Sequence, residues 1–102
     1  MVLCGSSYYT KKFYLNPEFE ILPQVVKDEL KIMCVLFTED VGGVLSLEFN
    51  EDGELMIKPS SDQDDLLYDE IGSGLKAKEL AVKHNELFEE LELYYKVSVM
   101  QG

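Results

Sequence analysis

Apolar residues recur along this chain with two different periods, and the periods separate strand-like from helix-like stretches. Val44-Leu45-Ser46-Leu47-Glu48-Phe49 alternates strictly, with Leu45, Leu47 and Phe49 on one face. Asn50-Glu51-Asp52-Gly53 follows as turn chemistry, with Asp-Gly supplying a positive φ. Glu54-Leu55-Met56-Ile57-Lys58 returns with Leu55 and Ile57 on one face, so 44–49/54–58 is a hairpin, ended by Pro59. Tyr8-Tyr9-Thr10-Lys11-Lys12-Phe13-Tyr14-Leu15 is rich in aromatic residues and alternates more loosely, which predicts a further strand. Asn16-Pro17 then reads as a cap and a helix-start proline for one short turn.

Elsewhere the period lengthens. From Pro23 onward Val26, Leu30, Met33, Phe37 and Val41 recur at helical spacing, and Gly42-Gly43 supplies a left-handed stop. Val25, Ile32 and Leu36 lie well around the same wheel, so a helix over 23–39 is apolar on nearly all sides in its second half and is expected to be buried there. The competing reading ends the helix near Leu30 and makes Ile32–Phe37 a buried strand. Helix is the preferred reading, although periodicity alone does not separate the two over so short a run. Asp64 or Asp65 caps a short helix through Ile71, which Gly72-Ser73-Gly74 interrupts. A final helix spans about 75–95. Its core stripe comprises Ala77, Leu80, His84, Leu87, Phe88, Leu91, Tyr94 and Tyr95, and Leu75, Val82 and Leu93 fall on the opposite side. The pattern leaves open whether Lys96–Met100 frays, extends the helix or becomes a strand.

These elements imply one α+β domain over residues 1–102: a small antiparallel sheet with a β-hairpin, packed against two main helices. An apolar fraction of 46 % supplies enough side chains for one modest core. The longest purely apolar run, Ile32–Phe37, is six residues, against about 20 for a membrane span. The first residues carry neither a basic nor an apolar signal region, so the expected compartment is the cytoplasm, with Cys4 and Cys34 as free thiols.

Charge changes the picture most. Residues 35–74 hold eleven acids against Lys58 alone, whereas the segments before and after are nearly balanced, and the net charge is −11. Such a field attracts basic partners and cations and repels phosphate backbones, so nucleic acid is excluded as a partner. The chain contains no Arg, hence no bidentate fork for phosphate, and one His, so no site with two imidazole ligands forms within it. No cofactor or metal is expected.

The run Thr38-Glu39-Asp40-Val41-Gly42-Gly43, the strand segment Leu47-Glu48-Phe49 and the segment Leu91-Glu92-Leu93-Tyr94-Tyr95 together resemble a family of small acidic bacterial proteins of about 100 residues with no assigned function. The resemblance implies a bacterial, cytoplasmic setting and supplies no activity and no functional residue.

Candidate chemistry is therefore read from the residues alone. Asp62, Asp64, Asp65, Asp69 and Glu70 offer hard oxygen ligands, but an EF-hand loop begun at Asp62 puts Leu67 and Ser73 where Gly and Glu are required. Density of carboxylates is what remains, which suits first a solvated surface, then a basic protein partner, and last a weak cation site. Glu39 and Asp40 stand at the end of the first long helix, where the macrodipole disfavours acids, and so join the candidate partner face. His84 reads as a half-buried histidine without a nucleophile at identifying spacing. Leu75, Val82 and Leu93 read as a seam that is covered either by the N-terminal strand or tail, or by a second copy in a homodimer. The expected role is a non-catalytic interaction protein of adaptor, chaperone or immunity type. The alternative is a small-ligand or sensory module, with a pocket between sheet and helices lined by tyrosines such as Tyr8, Tyr14 and Tyr94.

Overall fold

A computed structural model describes residues 1–101. Four strands, β1 (Val2–Ser7), β2 (Lys12–Leu15), β3 (Val44–Phe49) and β4 (Leu55–Ser60), form one antiparallel sheet in the order β2-β1-β3-β4. Three helices, α1 (Gln24–Val41), α2 (Glu70–Lys83) and α3 (Asn85–Tyr95), pack on it, giving an α+β architecture. The β3–β4 hairpin forms as its alternation demands. Gly53 takes φ 81°, and the Asn50 side chain accepts hydrogen bonds from the Asp52 and Glu54 amides.

Tertiary pairing revises several local expectations. The strand expected across Tyr8–Leu15 begins only at Lys12. Tyr8–Lys11 instead turn the chain between β2 and a strand, β1, that its Gly and Ser residues hide from a propensity reading. Pro59 does not end the hairpin: β4 continues through Ser60, with Pro59 opposite Leu45. β4 lies at the sheet edge, where a residue without an amide proton is tolerated.

The segment 31–37 is helical throughout. It is not buried on all sides, however, because Ile32 and Leu36 face outward while Leu30, Met33, Cys34, Phe37 and Thr38 are buried. Gly72-Ser73-Gly74 does not interrupt a helix either. Asp69 is the N-cap, its carboxylate accepting from the Gly72 amide at 2.9 Å, and α2 runs through the small residues. Ser73 is buried where α2 packs on β4 and returns its hydroxyl proton to the Glu70 carbonyl. No separate helix forms before it.

The long final helix breaks at His84 (φ −110°, ψ 26°), which closes α2 and opens α3, so three helices stand where two main ones are expected. The break aims α3 so that Leu87, Phe88, Leu91 and Tyr95 enter the core. There Tyr95 stacks on Phe49 with ring centroids 4.1 Å apart, and Phe19, fully buried, stacks on Phe49 at 5.8 Å. Phe19 reaches that position through the turn Pro17–Phe19, which Asn16 caps as its sequence implies. Lys96–Met100 continue as a π-helical turn beneath the hairpin loop, with the Lys96 and Met100 side chains against Gly53.

Candidate functional site

The acidic segment between β4 and α2 is held in place rather than trailing. The Tyr9 hydroxyl donates to the Asp65 carboxylate at 2.6 Å and accepts from the Asp62 amide at 3.1 Å, tying the loop to the β1–β2 turn. That bond to an anion raises the Tyr9 pKa above the ordinary phenol value. At the other end Asp69 is committed to the helix cap, and Glu70 lies in the first turn, where the helix dipole favours an acid. Asp62, Asp64, Asp69 and Glu70 keep exposed side chains. Among the described residues no three His, Cys, Asp or Glu side chains converge in a way that holds a metal ion.

Between these anchors the loop presents two leucines to water: Leu66 is 92 % and Leu67 96 % exposed. The sequence conceals them, because it assigns both to a short helix through Ile71 that does not form. In Asp64-Asp65-Leu66-Leu67 the pattern by itself does not signal exposure, because Leu67 and Ile71 stand at helical spacing. Exposure of one leucine is ordinary, but two adjacent ones ringed by carboxylates make a compact amphipathic tip.

Glu39 and Asp40 stay at the unfavourable end of α1, and cross-element lysines compensate. Lys11 reaches Glu39 and Lys76 reaches Asp40, each at 3.5 Å. Pairs this exposed contribute about 0–1 kcal/mol. The structure places these two acids with lysines of other elements rather than with the acidic loop.

Leu75, Val82 and Leu93 are 58, 79 and 65 % exposed, so neither the N-terminal strand nor the tail covers them. The break at His84 puts Leu93 on a different helix from the other two. Between α1 and α2 runs an open groove of about 290 Å³, and none of the three lines it. Met33, Phe37 and Leu80 belong to its apolar lining and Asp40, Lys76, Glu79 and Lys83 to its polar lining. His84 lies at its end, half-buried, with Nδ1 3.6 Å from a Glu29 carboxylate oxygen.

The three tyrosines of the pocket reading diverge. Tyr8 lies in the β1–β2 turn, under the Lys11 ammonium at 3.4 Å. Tyr14 lies on the sheet face away from the helices, since its neighbours Phe13 and Leu15 pack on the core. Tyr94 packs on Phe19 with centroids 6.4 Å apart.

The two thiols, by contrast, meet. Cys4 of β1 and Cys34 of α1 are both free and fully buried, with sulfurs 3.9 Å apart. The hydrogen bond with Cys34 and then burial push the Cys4 thiol far above its ordinary pKa. A thiol held protonated is a poor nucleophile, so the pair acts as packing. Next to it the Ser6 hydroxyl donates to the Cys34 carbonyl at 2.8 Å and lies 3.1 Å from the Thr38 hydroxyl, which satisfies the polar groups buried between β1 and α1.

No described helix is long and apolar enough to cross a membrane. The chain matches, over residues 1–102, a family of unknown function (DUF6145). No curated protein and no solved structure matches it.

Proposed function

We propose that this chain, which belongs to the family of unknown function DUF6145, is a non-catalytic interaction protein that recognises a basic protein partner through the Asp62–Glu70 loop. The observation that carries this reading is the anchored tip, in which Leu66 and Leu67 stand almost fully in water between carboxylates. A partner of matching chemistry offers a small apolar pocket rimmed by lysines or arginines. The leucines would supply buried area, and the acids would supply steering and register. Because Tyr9 and the Asp69 cap already hold the loop, little ordering entropy is lost on binding. Glu39 and Asp40, already paired with lysines, take a secondary part at most. Two free buried thiols suit a reducing, cytoplasmic setting.

The test is affinity capture from cell lysate with three baits at low and high salt: the wild type, the Leu66→Ser/Leu67→Ser variant and the Asp64→Lys/Asp65→Lys variant. The expected result is one basic protein retained by the wild type at low salt, released at high salt and lost with both variants. Equal retention by the leucine variant would overturn the assignment of the tip.

A further inference from the structure

The chain has two cysteines, and the fold brings them together across the contact between sheet and helix. Cys4 lies mid-sheet in β1, between Leu15 of β2 and Leu47 of β3. Its sulfur meets that of Cys34 on α1 at 3.9 Å, thirty positions away in sequence, and both side chains are fully buried. Contacts that do not involve sulfur hold the two residues in this register. The Ser6 hydroxyl, two residues from Cys4, donates to the carbonyl of Cys34 itself at 2.8 Å. Thr38, one turn further along α1, has its hydroxyl 3.1 Å from the same Ser6 oxygen. A disulfide bond is about 2.05 Å long, so closing the 3.9 Å gap takes an approach of about 2 Å. That approach falls to rotation about the two Cα–Cβ bonds.

Reduced, the pair is packing, and a reducing setting keeps it so. We propose that Cys4 and Cys34 are a reversible redox staple, which a hydroperoxide oxidises to a disulfide tying β1 to α1 and which added thiol reopens. The oxidant reaches the sulfurs through local opening of the β1–α1 contact, which favours one scarcely larger than water. This chemistry is independent of the Leu66–Leu67 tip and of any partner it has.

The contact with Cys34 and then burial keep Cys4 protonated, so Cys34 supplies the attacking sulfur. With hydrogen peroxide, a sulfur–oxygen bond forms at Cys34 as the oxygen–oxygen bond breaks. The departing hydroxide takes the proton lost by Cys34 and leaves as water. The Cys4 sulfur then attacks the Cys34 sulfenic sulfur. A sulfur–sulfur bond forms, the sulfur–oxygen bond breaks, and hydroxide leaves with the Cys4 proton as a second water. Two thiols are oxidised by two electrons in all, and one peroxide is reduced by two. Because the second sulfur already touches the first, closure outruns further oxidation of the sulfenic acid. The product closes a loop from residue 4 to residue 34 and so restricts the unfolded chain.

The test treats the folded full chain with hydrogen peroxide and reads intact mass, maleimide labelling after denaturation, and thermal unfolding. The wild type is expected to lose the mass of two hydrogen atoms, to label at neither cysteine, and to regain both thiols with dithiothreitol. Its thermal midpoint should rise by about 10 °C, with an unchanged circular dichroism spectrum. Cys4→Ala and Cys34→Ala, each with one sulfur left, should gain oxygen or a second chain instead, without that rise. The wild-type readouts decide the matter even where a variant fails to fold. Two thiols that stay free under a dose that oxidises them in urea would overturn the proposal. So would a wild type that gains oxygen or links to a second chain, or a disulfide that leaves the midpoint unchanged or lowers it.

Discussion

The contact between β1 and α1 and the loop between β4 and α2 solve opposite problems with similar residues. Beneath α1, Leu3, Cys4 and Cys34 are fully buried, and the few polar groups that enter with them, Ser6 and Thr38, are satisfied by one another and by helix carbonyls. In the loop Leu66 and Leu67 stay in water, while hydrogen bonds from Tyr9 and the Asp69 cap hold the backbone. One region spends its apolar surface on folding and the other leaves it for something else. The comparison separates residues whose loss lowers stability from residues whose loss lowers recognition.

The sharpest break is expected on the folded side. Phe19→Ala removes a fully buried ring that stacks on Phe49 and Tyr95, and should cost about 3–5 kcal/mol in urea unfolding. A loss below about 1 kcal/mol would mean that the aromatic stack is not a core element. Gly43→Ala comes next. Gly43 has φ 71°, and a Cβ there would collide with the Ser60 carbonyl and the Tyr68 ring, so about 1–3 kcal/mol should be lost by the same measurement. Ser6→Ala removes the hydroxyl shared by Cys34 and Thr38 and should lower stability by about 1 kcal/mol.

On the loop side the expected signs separate. Leu66→Ser/Leu67→Ser should change unfolding free energy by less than about 0.5 kcal/mol while abolishing capture of the basic partner. A large destabilisation would show that the leucines serve the fold after all. The smallest effect is in alkaline titration. The raised Tyr9 pKa means that the loop anchor is fully present below the ordinary phenol pKa, near 10, and is lost as pH rises through the higher folded value. Tyrosinate absorbance should therefore show Tyr9 ionising late, and Asp65→Asn should move its ionisation to lower pH. An unchanged titration curve in that variant would remove Asp65 as the cause.

Local pattern and tertiary structure divided the decisions between them. Legible in the sequence were the β3–β4 hairpin, α1 with its glycine stop, the Asn16 cap and the acidic middle third, because each depends on neighbours within a few residues: alternation, helical spacing, turn chemistry, charge. The outer faces of Ile32 and Leu36, β1 behind its glycine and serines, the passage of α2 through Gly72-Ser73-Gly74 and the break at His84 were decided only when the chain closed on itself. Side-chain period reports that a face is apolar, not whether another element has room to cover it. Sheet pairing recruits Gly5 through Ser46 and Tyr14 on neighbouring strands, which a propensity reading of β1 alone does not register. The candidate site divides the same way: its acids are read directly from composition, whereas the exposure of Leu66 and Leu67 follows from how Tyr9 and Asp69 hold the loop clear of the core.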